Sequence, residues 1–100
     1  MQTFDVVFTT GAQNDLQKID EYLKKHDFDR SILERIVVKT HDYLADHPKS
    51  GTIIIDEKER QIRKILILKK NSVYYQISGQ TVQVIAVRAN RMSKELEKRT

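Results

Sequence analysis

Residues 60 to 94, RQIRKILILKKNSVYYQISGQTVQVIAVRANRMSK, carry eight Lys or Arg and no Asp or Glu. Apolar residues alternate through the stretch and a Gly-containing turn interrupts it, so it reads as the strands of a basic antiparallel sheet. Gln61 to Leu68 is the first strand. Ile62, Leu66 and Leu68 share one face, broken by Lys64, while Arg63, Ile65 and Ile67 share the other; apolar residues on both faces predict a central position. After the polar turn Lys69-Lys70-Asn71-Ser72, Val73 to Ser78 sets Val73, Tyr75 and Ile77 opposite Tyr74, Gln76 and Ser78. Gly79-Gln80 suits a two-residue hairpin loop of the II′ kind. Thr81 to Arg88 then returns with Val82, Val84 and Ala86 on one face and Ile85 and Val87 on the other. The unbalanced charge predicts that one side of these strands meets something anionic.

Upstream of this sheet, Lys49 to Glu59 contains an apolar triplet, Ile53-Ile54-Ile55, that is either a short strand or a loop anchor. Before it stand two amphipathic stretches. Ala12, Leu16, Ile19 and Leu23 recur at spacings of four, three and four, one stripe of a helix of about four turns, opened by the capping box Thr10-Gly11-Ala12-Gln13. Ile32, Leu33, Ile36, Val37, Thr40, Tyr43 and Leu44 form the apolar face of a second helix, capped by Asp29 or Ser31 and stopped by Pro48. The short link between them requires an antiparallel hairpin. Thr3 to Thr9 is a first strand with Phe4, Val6 and Phe8 on one face, and Met92 to Thr100 is a short helix held by Leu96. The expected fold is α+β, in the order β-α-α-β-β-β with the short C-terminal helix: an antiparallel sheet of about four strands on a two-helix hairpin.

The 100 residues fit a single domain spanning 1–100. With no Cys, disulfides and thiolate metal sites are excluded, which fits a reducing cytosol. No apolar run approaches the roughly 18 residues of a membrane span, and Asp5 stands where a signal peptide carries bases, so a soluble, unexported, cytoplasmic chain is expected. His26, His41 and His47 lack metal-ligand spacing, and Gly11 and Gly51 read as punctuation at element boundaries; no metal or cofactor is expected. Residues 1–50 hold seven bases against nine acids and residues 51–100 hold eleven against five, so the second half owns the net charge of +4.

Candidate target contacts are therefore Arg60, Arg63, Lys64, Arg88, Arg91 and Lys94, held on or next to strands, with a solvated basic face as the plain alternative. Tyr75 shares a face with Val73 and Ile77 and reads as core, whereas Tyr74 points the other way, where it would stack on a base or serve an interface.

The order strand, helical hairpin, three-stranded meander and tail resembles the superfamily of ParE and RelE, the toxic halves of type II toxin–antitoxin pairs. The carriers are FDVVFTTGAQNDLQKIDEYL, YLADHPKSG, IRKILILKKNSVYYQI and VQVIAVRANR, which together cover nearly the whole chain. The resemblance implies one of two activities: ParE-like members poison DNA gyrase by binding, and RelE-like members are ribosome-dependent ribonucleases that cut messenger RNA. By resemblance, the ribonuclease pattern has a Lys or Arg on the first meander strand, an Arg opening the next, another Arg after the last strand and a tail Tyr or His. Fixed cations would stabilise charge developing on phosphorus and the tail group would handle protons. Arg63 and Arg91 fill two of these places, but Ser72 stands at the second-strand Arg, Leu96 at the tail aromatic, and Ala89 or Asn90 at a His common after the last strand. The set Arg63, Arg91 and Tyr74 is what a rearranged ribonuclease would use. The incomplete pattern favours a ParE-like gyrase inhibitor, silenced by a cognate antitoxin with an acidic, partly disordered segment. A non-toxic basic binding module is the third possibility.

Overall fold

The computed structural model describes residues 3–89. In chain order these form β1 (Asp5–Phe8), α1 (Thr10–Lys25), α2 (Ser31–Asp46), β2 (Thr52–Glu57), β3 (Arg60–Ile67), β4 (Asn71–Ser78) and β5 (Thr81–Ala89). Among the described residues the strands make a five-stranded sheet in the order β1-β5-β4-β3-β2. The fold is α+β, a mostly antiparallel sheet carrying the N-terminal helix pair. It has one strand more than the expected four because Ile53-Ile54-Ile55 is part of a strand, antiparallel to β3. β1 joins the far edge parallel to β5. The expected helix at Met92 to Thr100 lies outside the described residues.

Tertiary contacts set the helix boundaries more than the capping sequence does. Thr9, not Thr10, caps α1: its hydroxyl accepts from the Ala12 amide (3.3 Å) and donates to the Val84 carbonyl (3.0 Å), which also accepts from the Thr9 amide (3.0 Å). The cap is thus tied to the end of the β1–β5 ladder, one residue before the position that local pattern selects. Gln13 Nε2 reaches back to the Phe8 carbonyl (2.9 Å) instead of closing a box. At the start of α2 the N-cap is Arg30, with no side-chain capping bond, in place of the expected Asp29 or Ser31; Asp29 Oδ1 accepts from the Ser31 amide (2.9 Å) just ahead of the helix. Arg30 forks onto Asp20 of α1 with both contacts at 2.9 Å, pinning the hairpin and holding the Asp20 carboxyl below its ordinary range.

α1 ends in a Schellman turn. The Phe28 amide donates to the Leu23 carbonyl (2.8 Å) and the Asp27 amide to the Lys24 carbonyl (3.3 Å), with Asp27 in the left-handed region at φ 55°. An L side chain is strained there, and glycine is not. Asp27→Gly is therefore expected to stabilise the fold by about 0.5–1 kcal/mol, read as a higher denaturant midpoint at unchanged slope.

The helices bury Ala12, Ile19, Leu23, Ile36 and Leu44 against Ile65, Ile67, Val73, Tyr75, Val82, Val84 and Val87 of the sheet. Among the described residues the buried Thr40 Oγ1 lacks a hydrogen-bond partner. Removing a buried, unsatisfied hydroxyl at constant shape recovers its desolvation cost, so Thr40→Val is expected to add about 1 kcal/mol of stability in the same denaturation assay.

Irregularities move side chains off the simple alternation. β5 carries a bulge: Tyr74 pairs with Ala86 but Tyr75 with Val84, so Ile85 is the extra residue. Val87 consequently joins Val82 and Val84 in the core, and Ala86 turns to the far face, reversing the expected assignment of both. The β3–β4 turn is Leu68–Lys70, not Lys69 to Ser72, with φ 54° at Leu68 and 67° at Lys69. Asn71 already belongs to β4 and closes the turn through Nδ2 onto the Ile67 carbonyl (3.1 Å). Gly79 takes φ 60°, as the first position of the expected hairpin loop requires. β3 has a neighbour on each side, as its two apolar faces predict.

Candidate functional site: a basic sheet face and a buried clamp

Strand alternation divides the candidate cations between the two faces of the sheet. Arg63 lies opposite Tyr75 on β4 and shares the helix-covered face with Ile65 and Ile67. There it closes a clamp. Arg63 Nη1 donates to the carbonyls of Lys49 and Gly51, each at 3.0 Å, and Nη2 donates to Gln61 Oε1 at 3.2 Å. The Gly51 amide in turn donates to the hydroxyl of the fully buried Tyr75 (2.9 Å). Burial pushes the Tyr75 phenol up, against the hydrogen bond from Gly51 and the charge of Arg63. The segment between α2 and β2 is thereby fastened to the middle of the sheet.

Gly51 is no mere punctuation here. A Cβ at that position would stand 2.5 Å from Tyr75 Oη and 3.0 Å from the Lys64 carbonyl, so the tyrosine and the segment approach this closely only because residue 51 has no side chain. Nothing local in the sequence marks this, since Gly51 lies in the segment before β2 and Tyr75 on β4, 24 residues apart.

The far face carries Arg60, Lys64 and Arg88. Lys64 sits opposite Tyr74, and Tyr74 opposite Ala86. Arg60, Ile62, Tyr74, Ile85 and Arg88 line a shallow cleft of about 260 Å³. Ile62 is buried on this side, away from the main core. Arg88 is only in part free: its Nη1 lies 2.8 Å from Asp15 Oδ1, and Asp15 Oδ2 accepts from the Val87 amide (3.0 Å) just past the end of the β1–β5 pairing. Sequence reading missed Asp15, which reads as one more solvated acid on α1. Arg91 and Lys94 lie outside the described residues. Ser72 is buried opposite Leu66 and Arg88.

The face offers three exposed or half-exposed cations, Arg60, Lys64 and Arg88, and a tyrosine beside an apolar floor, an arrangement suited to gripping an anionic partner. Among the described residues no group of His, Asp and Glu is placed to hold a metal ion, and no helix is long and apolar enough to cross a membrane.

Comparison with known proteins bears on the fold and the family. Among curated proteins none matches significantly. Among solved structures the chain is similar to one in the crystal structure of the toxin–antitoxin complex RelBE2 from Mycobacterium tuberculosis, with a TM-score of 0.65 and 21% identity over 89% of this chain and 93% of that one. At that identity the likeness concerns the fold. A profile of the family described as ParE toxin of type II toxin–antitoxin system, parDE, matches residues 6–94. The chain belongs to the ParE toxin family of type II toxin–antitoxin systems.

Proposed function

We propose that this toxin acts by binding, with DNA gyrase as its target, inside the cell, and that a cognate antitoxin neutralises it. The observation that carries the reading is the engagement of Arg63. The cation at the first-meander-strand position of the ribonuclease pattern spends its guanidinium on Lys49, Gly51 and Gln61 of its own chain. Ser72, at the second-strand position, is buried. Transition-state stabilisation of phosphoryl chemistry needs convergent, uncommitted cations, whereas a binding face needs only complementary charge and shape. Arg60, Lys64 and Arg88 are the target contacts of this reading, with Arg91 and Lys94 following in sequence.

Supercoiling by purified gyrase is expected to be inhibited by the chain, and the double reversal Arg60→Glu with Lys64→Glu is expected to lower potency by about tenfold through lost electrostatic steering. Tyr74→Phe should leave inhibition in place. One observation favours a second reading, ribosome-dependent cleavage of messenger RNA: Tyr74 shares its cleft with Arg60 and Arg88. If induction stops translation and leaves cleaved messages on ribosomes before any DNA-damage response, and Tyr74→Phe abolishes this, the gyrase reading is wrong.

A further inference from the structure

Exposed apolar side chains are not spread evenly over the molecule. Among the described residues the large ones are Val7, Val38, Tyr43, Ile53, Ile54 and Leu66, and four of them, Tyr43, Ile53, Ile54 and Leu66, lie on or beside the β2–β3 edge. Three of these four line or border one notch of about 530 Å³ with Ser50, Thr52 and Lys64. Leu66 is 58% exposed near the end of β3, and Ile54, the bulged residue of β2, is 46% exposed. Such clustering on a small protein marks an interaction surface.

The backbone is open at the same place. Pairing of β2 with β3 ends at Thr52–Lys64. The Lys64 carbonyl faces β2, since a Cβ on Gly51 would lie 3.0 Å from it. Peptide groups alternate along a strand, so those of Leu66 point the same way, into the notch, where β2 pairs no residue with them. Among the described residues Lys64 is the one charged residue lining the notch, and no acid lines it.

We propose that this notch takes an extended, acidic segment of a partner polypeptide, which adds to the exposed edge of β3 beside Leu66. Its backbone hydrogen-bonds the Leu66 peptide groups, an apolar side chain enters between Tyr43, Ile54 and Leu66, and a carboxylate meets Lys64. The proposal rests on the reading that this toxin is neutralised by a partner with an acidic segment, and gives that partner a place. Occupancy would also cover Lys64, one of the proposed target contacts, so that binding at the edge and gripping of the target exclude each other.

The test is titration of the ¹⁵N-labelled full chain with a short capped peptide of alternating Glu and Val residues, beside the same peptide with Lys for Glu. Expected are saturable shifts at residues 50–54 and 64–67, slowed hydrogen exchange of the Leu66 amide, and weaker binding of the lysine peptide. Lys64→Glu should invert that preference, and Leu66→Asp, at an exposed position, should weaken the acidic peptide by about tenfold. No saturable binding, or shifts centred on the cleft between Tyr22, Phe28 and Leu68, overturns the proposal. Protection of Leu66 by concentration alone, without peptide, assigns the edge to a second copy and also overturns it. The protein encoded by the adjacent gene is then added. If it binds and leaves Leu66 exchanging freely, the edge is not the antitoxin's site and the inference fails while the antitoxin reading stands. If it fails to bind a chain that binds the peptide, the antitoxin reading fails and the edge site stands.

Discussion

Gly51→Ala is expected to lower the melting temperature by roughly 15 °C. The added Cβ meets Tyr75 Oη at 2.5 Å, Tyr75 Cε1 at 3.0 Å and the Lys64 carbonyl at 3.0 Å. One of these contacts is backbone, and the others belong to a ring that is fully buried and packed within the core. Relief requires moving the ring or the segment, and either motion stretches the bond from the Gly51 amide to Tyr75 Oη and the bond from Arg63 to the Gly51 carbonyl. Overpacking costs about 1–3 kcal/mol and a compromised buried hydrogen bond about 1 kcal/mol more. For a chain of this size each kcal/mol corresponds to about 4–8 °C.

The same geometry predicts coupling between the two residues. Tyr75→Phe should cost about 1–3 kcal/mol by stranding the Gly51 amide, but it removes the atom nearest to the new methyl group. Gly51→Ala should therefore cost less in the Tyr75→Phe background than in the wild type, and strictly additive melting shifts would exclude the clash as the cause. The alkaline limb gives an independent check. Because burial raises the Tyr75 pKa, neutral Tyr75 contributes stability that is whole below the unfolded value near 10 and is lost as pH rises through the folded one. Tyr75→Phe should flatten that loss.

Where hydrophobic periodicity was uninterrupted, the sequence was a sufficient guide. Ala12, Ile19 and Leu23 fall in the core at the helical spacing that selects them, and Val73 and Tyr75 fall there on the alternation of β4. What escaped it are places where one residue is inserted or one contact is remote. A single bulge residue, Ile85, exchanges the faces of Ala86 and Val87, and no feature of VQVIAVRA announces which residue will be the extra one. Ile53-Ile54-Ile55 is equally apolar on both faces because its strand is a bulged edge, so periodicity could not separate strand from anchor. The cap moved from Thr10 to Thr9 because the Val84 carbonyl selects between two adjacent threonines that are equivalent locally. At the candidate site, the excess of cations was legible as composition. Their division between two faces followed from alternation, but the internal partners of Arg63 and Arg88 belong to the segment after α2 and to α1.

That division makes Arg63 the decisive side chain. Its guanidinium supplies hydrogen bonds to two carbonyls and one amide oxygen, so Arg63→Ala should cost about 2–3 kcal/mol, chiefly by leaving the partly buried Gly51 carbonyl without its donor. Arg63→Lys should recover only part of this, because an ammonium on a flexible stem does not reproduce a planar fork that reaches Lys49, Gly51 and Gln61 together. Both variants should melt earlier, yet at temperatures where they remain folded they should inhibit gyrase within about threefold of wild type, since Arg63 lies on the helix-covered face and three of its guanidinium N–H donors are engaged within its own chain. A ribonuclease that used this cation against a developing phosphorane charge would behave oppositely, losing about 100-fold or more in rate with little change in melting. Circular dichroism melts run beside supercoiling and message-cleavage assays on the same preparations separate the two cases. An unchanged melt with lost activity would return Arg63 to the target-contacting set, and an early melt with retained inhibition leaves the far face, with Arg60, Lys64 and Arg88, as the surface that grips.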